Sequence, residues 1–394
     1  MQEVVNQLTH EEAVSQAKSL FANIRSRARL AEESRHQPLE TIEEIRSTGL
    51  IRSLVPERWG GHELGWSTLS ATAIEVAKAD PSAGWCYSLL LLHNWMVAFL
   101  PDQAQADVWQ NNPDACVATS INPASGSEVT RVEGGYRLNG KWGFSSGINH
   151  CDWAMITIPV PQQASSEEKK VLWFLVPKSE MKIIDVWHVI GMRGTGSNVL
   201  ELTNTFVPDH RTMELEPWNF HGISPGMQVN TAPLYRIQLS AVMPVTLLSV
   251  ILGSTKGAYE LWRDTVIGKG KTRSGSRVAE QTHQQIRLAR IATKIEAADA
   301  LLKKSLEVVE SGKVLEYAER VRLRCNYAYC VELCQEVIET IYTSSGAAAA
   351  SESNPLQLFW RDIHAGAAHT AFNFDWLGEI LGKLELGIPV KMEY

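Results

Sequence analysis

Apolar residues recur every three or four positions through the first part of the chain, which is the spacing of amphipathic helices. The first stripe consists of Ala13, Ala17, Leu20, Phe21 and Ile24. Glycine, proline and capping residues then divide the region into further helices, predicted at about 38–49, 67–78, 81–99 and 101–109. We therefore expect an N-terminal helical domain over residues 1–113.

Between Cys116 and Pro208 the pattern changes to short alternating runs separated by turn residues. Such alternation is typical of strands in an antiparallel sheet. Within the run 136–142, Asn139-Gly140 predicts a tight turn. The polar segment 161–169 predicts a hairpin loop. Together these features predict a central antiparallel β domain over residues 114–228.

Long helical patterns return after residue 234. In the segment 246–266, Gly253 and Gly257 lie one turn apart, which permits another helix to approach closely. Two long amphipathic helices are predicted at 284–309 and 315–344. We expect a C-terminal bundle of long helices over residues 229–394, and the fold class is therefore α+β.

Composition narrows the classes of function. The chain has 394 residues, of which 44% are hydrophobic, and a net charge of −7. This charge argues against nucleic acid or an anionic membrane as the main partner. The N-terminus lacks the apolar region of a signal peptide, and the six cysteines show no zinc-site spacing. We expect a soluble, cytoplasmic protein without a metal site, and the thirteen tryptophans hint at a large aromatic-lined cavity.

The segment from Phe359 to Trp376 is the richest in candidate chemistry. It combines two histidines, two aspartates and an arginine with small residues and aromatic rings. Apart from its single glycine, Gly366, the segment has the composition of a helix with Ala365, His369 and Phe372 or Asn373 along one side. Small residues beside His369 would leave room for a large, flat ligand. The alternative is a core helix whose histidines are merely hydrogen-bonded.

Three other stretches are candidates for ligand binding. Ser145 and Ser146, between glycines beside Trp142, would suit the polar edge of a planar heterocycle, although an ordinary turn is equally compatible. The glycine-rich stretch 191–198 lacks the residue order of a phosphate loop. The basic, glycine-punctuated loop around Arg273 is either an anion site or a solvated loop.

In the order of its segments and motifs, the chain resembles the acyl-CoA dehydrogenase fold over essentially its whole length. Within that fold it is most similar to the oxygenase components of two-component flavin-dependent monooxygenases. That group contains p-hydroxyphenylacetate hydroxylase and the enzymes that oxidise indole and indole-3-acetate. The resemblance is carried by the motifs at 54–61, 142–147, 191–208 and 361–369.

This resemblance implies a function. Reduced flavin, either FAD or FMN, would come from a separate NAD(P)H-dependent reductase and react with O2 to give a C4a-hydroperoxyflavin. The enzyme would then hydroxylate a small aromatic substrate of the indole, indole-3-acetate or phenol type. The resemblance also implies a homotetramer.

The resemblance further implies roles for individual residues. His369, His93 and Ser146 are expected to be catalytic. Substrate contacts are expected from His93, Ser120 and Trp95. Flavin contacts are expected from Thr119, Ser120, Trp142, Ser145, Ser146, Arg273, Gln284 and His369.

Two other functions stay open at this point. An acyl-CoA dehydrogenase needs a carboxylate base to remove the α-proton of a thioester. The resemblance to dehydrogenases implies two places for this base. One is the stretch after Arg361, which contains no glutamate before Glu379, and the other is the helix near residues 250–265, where Glu260 is a candidate. The second alternative is a helical interaction protein without catalytic activity.

Overall fold

The computed structural model describes residues 7–161, 169–268, 270 and 277–390. Six helices come first, nine strands follow, and six more helices complete the described chain. The first helices are α1 (His10–Ser19), α2 (Phe21–Ser34), α3 (Leu39–Ser47), α4 (Trp66–Ala79), α5 (Pro81–Val97) and α6 (Asp102–Trp109). The last helices are α7 (Leu215–His221), α8 (Leu239–Gly268), α9 (Thr282–Val309), α10 (Tyr317–Ser345), α11 (Pro355–Ala367) and α12 (Phe374–Glu385).

The strands form two sheets that lie between the helical regions in sequence. One sheet has the order β1-β5-β6-β9, and the other has the order β2-β4-β8-β7 with β3 also paired to β4. The strands are β1 (Val117–Ser120), β2 (Asn122–Pro123), β3 (Glu128–Val132), β4 (Gly135–Ser145), β5 (Trp153–Pro161), β6 (Lys169–Pro177), β7 (Lys182–Ile184), β8 (Asn198–Pro208) and β9 (Thr212–Glu214).

Two details of the β region differ from the sequence prediction. The pairing is antiparallel throughout except that β1 runs parallel to β5. Asn139-Gly140 does not form a tight turn, because β4 continues through it with a shift of register against β8. Gly140 adopts a φ of +143°, and a Cβ there would lie 2.4 Å from Ser127 Oγ, so the glycine forms a bulge instead. Most of the predicted hairpin loop, 162–168, lies outside the described residues.

Helix α5 occupies the centre of the molecule. The Asp80 side chain caps it by accepting hydrogen bonds from the backbone N–H groups of Ser82 and Ala83, and Pro81 occupies its first turn. Every residue of α5 except Leu89 is buried. This explains why the segment lacks an amphipathic pattern, since a helix enclosed on all sides has no polar face.

Close packing of α8 against α4 confirms the prediction from Gly253 and Gly257. A Cβ at Gly253 would lie 2.5 Å from the carbonyl oxygen of Ile74, and one at Gly257 would lie 2.5 Å from that of Lys78. Helix α8 has the length and hydropathy of a membrane span, but 89% of its most apolar window is buried inside the protein. It therefore serves as the core helix of the C-terminal bundle.

The predicted domain boundaries fall between secondary-structure elements. Residue 113 lies between α6 and β1, and residue 228 lies between α7 and α8. The division into three separate domains stays a prediction.

A buried carboxylate joins the glycine-rich stretch 191–198 to α11. Asp362 is fully buried, and its Oδ1 accepts the backbone N–H of Met192 at 2.6 Å. Met192 adopts a φ of +55°, a left-handed backbone conformation that is uncommon for residues other than glycine. At Gly191, a Cβ would lie 2.3 Å from the carbonyl oxygen of Arg361. The loop is therefore held against α11 by one hydrogen bond and by a contact that only glycine permits.

Asp362 has a second buried carboxyl group as its neighbour. Burial raises the pKa of Asp362 to about 8, and the charge of Asp80 raises it further in the same direction. Burial also raises the pKa of Asp80 to about 6, against the opposing effect of its hydrogen bonds. The folded protein therefore retains protons that the unfolded chain releases near pH 4.

We expect replacement of Gly253 by alanine to destabilise the protein by about 1–3 kcal/mol, because the added methyl group forces α8 away from the backbone of α4. Gly382→Ala is the matched control, since nothing lies within 4 Å of a Cβ at that position in α12. It should be neutral or stabilising by up to about 1 kcal/mol. Equal denaturation midpoints for the two variants would contradict the close approach of α8 and α4.

We expect the stability of the wild-type protein to fall as the pH rises from about 4 towards 8, by at most about 1.4 kcal/mol per pH unit for each retained proton. Asp362→Asn should flatten this slope, because the amide stays uncharged while its oxygen can still accept the Met192 N–H. The exposed Asp375 provides the control Asp375→Asn, which should keep the wild-type slope. Thermal unfolding at a series of pH values measures this slope. Equal slopes for the wild-type protein and both variants would refute the retention of a proton by Asp362 in the folded state.

Candidate active site

A cavity of about 960 Å³ lies between α5, the strands, α8 and the turn that follows α11. This volume is in the range of ligand-binding cavities in proteins. Five of the residues expected to contact flavin or substrate line it together, although they come from distant parts of the chain: His93, Thr119, Ser120, Ser146 and His369.

His93 and Thr119 form a hydrogen-bonded pair in the cavity wall. His93 Nδ1 lies 3.0 Å from the carbonyl oxygen of Val117, which can only accept, so Nδ1 carries a proton. Burial lowers the pKa of His93 to about 4, and the ring is therefore neutral at pH 7. Its unprotonated Nε2 must then accept the hydroxyl proton of Thr119, whose Oγ1 lies 2.9 Å away. Thr119 Oγ1 keeps only lone pairs for a ligand.

Ser146 begins a series of hydrogen-bonded hydroxyl groups in which the donor and acceptor of each bond can be assigned. Thr195 Oγ1 donates to the carbonyl oxygen of Met192, so it has no proton left for Ser197. Ser197 must donate to Thr195 at 2.7 Å, and Ser146 must donate to Ser197 at 2.7 Å. Ser146 Oγ therefore also faces the cavity as an acceptor.

Ser120 follows the same rule. Its hydroxyl donates to the carbonyl oxygen of Gly143 and accepts a longer hydrogen bond from the backbone N–H of Asn122. The protons of the Thr119, Ser120 and Ser146 hydroxyl groups are thus held by protein acceptors. A ligand that forms a hydrogen bond with one of these oxygens must bring its own N–H or O–H donor.

His369 supplies a donor from the helical side of the cavity. Its Nδ1 accepts the backbone N–H of Ala371 at 3.1 Å, so the neutral ring carries its proton on Nε2. Burial lowers the pKa of His369, and the positive charge of Arg324 lowers it further. The imidazole therefore stays neutral at pH 7 and presents an N–H group.

The backbone around His369 differs from the continuous helix predicted for Phe359–Trp376. Helix α11 ends at Ala367, and His369 adopts an extended conformation that caps a short 3₁₀ turn. Asn373 then caps α12 through the backbone N–H of Trp376. Two residues with capping side chains thus interrupt the helix, which lets the His369 ring turn towards the cavity. Gly366, the single glycine of this segment, lies within α11 and does not end it.

Aromatic rings form much of the remaining wall. Trp85 lies 6.3 Å from the ring of His369, and Phe144 meets Trp187 edge to face at 6.1 Å, measured between centroids. Phe144 is 66% exposed and has a φ of +59°, an uncommon backbone conformation for an aromatic residue. Flat aromatic walls with hydroxyl acceptors along one side are compatible with a flavin ring system.

Four other predicted site residues do not line the cavity. Trp95 packs between Trp66, Phe99 and Trp218, and its Nε1 donates to the carbonyl oxygen of Leu234. Trp142 is buried behind the wall and donates to the carbonyl oxygen of Thr157. Ser145, at the end of β4, and Gln284, in the first turn of α9, are also absent from the lining, and Arg273 lies outside the described residues.

Sequence reasoning missed several lining residues. Thr195 and Ser197 belong to the glycine-rich stretch 191–198, where their hydroxyl groups were an available signal. The sequence gives no signal for Trp187 or Arg324, because neither lies in a recognisable motif and only the fold brings them to the cavity.

The described lining residues include no aspartate or glutamate. Glu260, the candidate base of a dehydrogenase, instead pairs with Lys78 at 3.0 Å. The geometry therefore gives no support to abstraction of an α-proton by a carboxylate in this cavity.

Comparison with known proteins agrees with this architecture. Residues 9–109 match the acyl-CoA dehydrogenase N-terminal domain, and residues 245–374 match the acyl-CoA dehydrogenase C-terminal domain. In the Streptomyces protein XiaF, whose structure was solved in complex with FADH2 and glycerol, the fold matches with a TM-score of 0.90 and 27% identity. That match covers 98% of this chain and 97% of XiaF.

Two curated relatives are similar over nearly their whole length. The oxygenase subunit HsaA of a flavin-dependent monooxygenase from Rhodococcus jostii is 32% identical, covering 94% of this chain and 97% of the relative. The oxygenase component of an FADH(2)-dependent resorcinol hydroxylase from a Rhizobium strain is 32% identical, covering 98% and 96%. The resemblance found in the sequence is thus confirmed, and the chain belongs to the oxygenase components of the flavin-dependent monooxygenases, with the acyl-CoA dehydrogenase fold.

Proposed function

We propose that this protein hydroxylates a small aromatic substrate of the phenol, indole or indole-3-acetate type, with reduced flavin and O2. The observation that carries the proposal is the cavity itself. It has aromatic walls, no carboxylate among its described lining residues, and hydroxyl oxygens that present lone pairs to a ligand.

Reduced flavin, either FAD or FMN, supplies the electrons for the reaction with O2 when it is bound. Ser146, Ser120, Thr119 and His369 would hold its ring system, with Trp142 and Ser145 behind the wall and Arg273 and Gln284 as candidate contacts further away. The fixed acceptor at Ser146 Oγ suits an N–H group, which the reduced flavin ring carries at a position where the oxidised ring has none. The orientation of the hydroxyl chain thus favours the reduced cofactor.

The His93–Thr119 pair is positioned to bind the substrate. A phenol O–H or an indole N–H can donate to Thr119 Oγ1, while His93 acts indirectly by accepting the Thr119 proton. This differs from direct contact with His93, since the Nε2 atom of the ring is already occupied. Among the other predicted substrate residues, Ser120 lines the cavity, whereas Trp95 would act only through packing.

We propose that His369 favours transfer of oxygen to the substrate over release of hydrogen peroxide. Its neutral imidazole presents Nε2–H without releasing an additional proton at pH 7, because burial and the charge of Arg324 both disfavour the protonated ring. The aromatic and aliphatic lining excludes water around it. Both effects would favour transfer of oxygen to the substrate over release of hydrogen peroxide.

The family of oxygenase components works with a separate reductase, and we propose that the reductase for this chain is NAD(P)H-dependent. We also propose a cytoplasmic homotetramer. The exposed apolar side chains Ile267 and Ile286, near the adjoining ends of α8 and α9, support a surface that another subunit covers.

The proposal is tested by supplying reduced FAD or FMN from an unrelated flavin reductase under ¹⁸O2, together with p-hydroxyphenylacetate, resorcinol, indole or indole-3-acetate. We expect the product of one of these substrates to contain one ¹⁸O atom. His369→Ala should lower the yield of this product at least about tenfold and divert electrons to hydrogen peroxide.

His10→Ala, on the exposed surface of α1, is the control and should keep the wild-type ratio of product to peroxide. Absence of labelled product from every aromatic substrate would count against the proposed function. A normal ratio in His369→Ala alone would count against the role of His369.

We expect Thr119→Val to weaken binding of a phenolic substrate about tenfold, because valine preserves the shape of the side chain but removes the only acceptor of the pair that faces the ligand. Titration of the substrate measured by tryptophan fluorescence checks this. Thr130→Val, on β3 away from the cavity, is the control. Unchanged affinity in Thr119→Val would show that the substrate donor is bound elsewhere.

A further inference from the structure

Arg324 is the one permanently charged side chain among the described residues that line the cavity. The other polar lining groups are hydroxyls, amides, indole N–H groups and the two imidazoles, whose pKa values are both lowered by burial. The charge of Arg324 acts within the cavity, since it adds to burial in lowering the pKa of His369. It would also attract an anionic group of a ligand, because apolar walls screen the field weakly.

The contacts of α10 define where Arg324 points. One turn before it, Arg320 donates to the carbonyl oxygen of Phe220. Three residues after it, Tyr327 donates to the carbonyl oxygen of Ala241. Residues three and four apart share one face of a helix, so Arg324 lies on the face of α10 that meets the end of α7 and the start of α8.

Polar groups from those two helices line the same cavity. Asn219 of α7 and Ser240 of α8 are both lining residues, and the Ser240 hydroxyl donates to the carbonyl oxygen of Asn219 at 2.7 Å. Because this bond uses the backbone of Asn219, its side-chain amide is a further polar group where α7 meets α8. The apolar Met243 and Leu247, on the following turns of α8, also line the cavity.

The cavity thus contains two different kinds of polar site. Thr119, on β1, offers only an acceptor, whereas Arg324, on α10, offers a charged donor with the planar geometry that matches a carboxylate. A ligand that satisfies both has an O–H or N–H group on its aromatic ring and an acidic substituent.

We propose that Arg324 binds the carboxylate of the substrate, so that the substrate class is an aromatic acid bearing a phenol O–H or an indole N–H. This inference rests on the proposed function and specifies its substrate. Arg324 is then the residue that distinguishes aromatic acids from neutral aromatics of the same shape.

The test compares two matched pairs of ligands: p-hydroxyphenylacetate with 4-ethylphenol, and indole-3-acetate with 3-ethylindole. We expect the wild-type protein to bind the acid of at least one pair about tenfold or more tightly than its neutral partner. Arg324→Gln should abolish this preference while leaving the affinity for the neutral compound within about twofold. Arg324→Lys should restore part of it, because the charge returns without the planar geometry.

Arg322→Gln is the matched control, since Arg322 lies on the same helix with an exposed side chain paired to Glu385. It should keep the full preference for the acid. Equal affinity of the wild-type protein for acid and neutral compound, or an unchanged preference in Arg324→Gln, would overturn the role of Arg324.

A phosphate group of the flavin is the other anion that Arg324 could bind. Binding of FMN and of riboflavin, which lacks the phosphate, is therefore measured on the same variants. We expect Arg324→Gln to leave both flavin affinities unchanged, and a selective loss of FMN affinity would overturn the assignment to the substrate. Labelled product from neutral aromatics without any preference for acids would refute only this inference, whereas absence of labelled product from all aromatics would refute the proposed function.

Discussion

The hydrogen bond between the buried carboxyl group of Asp362 and the backbone N–H of Met192 is the constraint on which the site depends. It joins α11, whose end positions His369, to the loop that carries Thr195 and Ser197. That loop in turn determines the direction of the Ser146 hydroxyl. Placing a carboxyl group in the core costs free energy, since its charged form is disfavoured there. In return, the hydrogen bond fixes the position of α11 relative to the loop that carries Thr195 and Ser197.

Hydrogen-bond acceptors and donors lie on different sides of the cavity. The strands contribute hydroxyl oxygens whose protons are held by protein acceptors, as with Thr119 and Ser120. The turn after α11 and helix α10 contribute N–H donors, from His369 and Arg324. Thr119, Ser120 and His369 cannot exchange donor for acceptor roles without breaking a hydrogen bond inside the protein. The polarity of the cavity is therefore preorganised, and a ligand is selected by the arrangement of its own donors and acceptors.

Much of the fold could be predicted from the sequence, because local patterns decide it: the glycines of α8 predicted the close approach to α4, and the order of helices and strands is as expected. The tight turn predicted at Asn139-Gly140 was wrong, because β4 pairs with β8 on both sides of this dipeptide and Gly140 forms a bulge. His93, Ser146 and His369 were expected from the family resemblance, and they do line the cavity. Arg324 was not found, because nothing in an amphipathic helix distinguishes the arginine that faces a cavity from those that face solvent. The direction of each hydroxyl proton also depends on partners far away in the sequence.

The enclosed position of α5 has a consequence for how such an enzyme can change over evolution. His93 lies on a helix that is buried on almost every side, so most substitutions near it disturb the core as well as the ligand. Asn219 on α7 and Arg324 on α10, which line the cavity near its positive charge, are only partly buried. Substitutions on α7 and α10 can therefore alter the shape and charge of the cavity with less disturbance of the core than substitutions on α5.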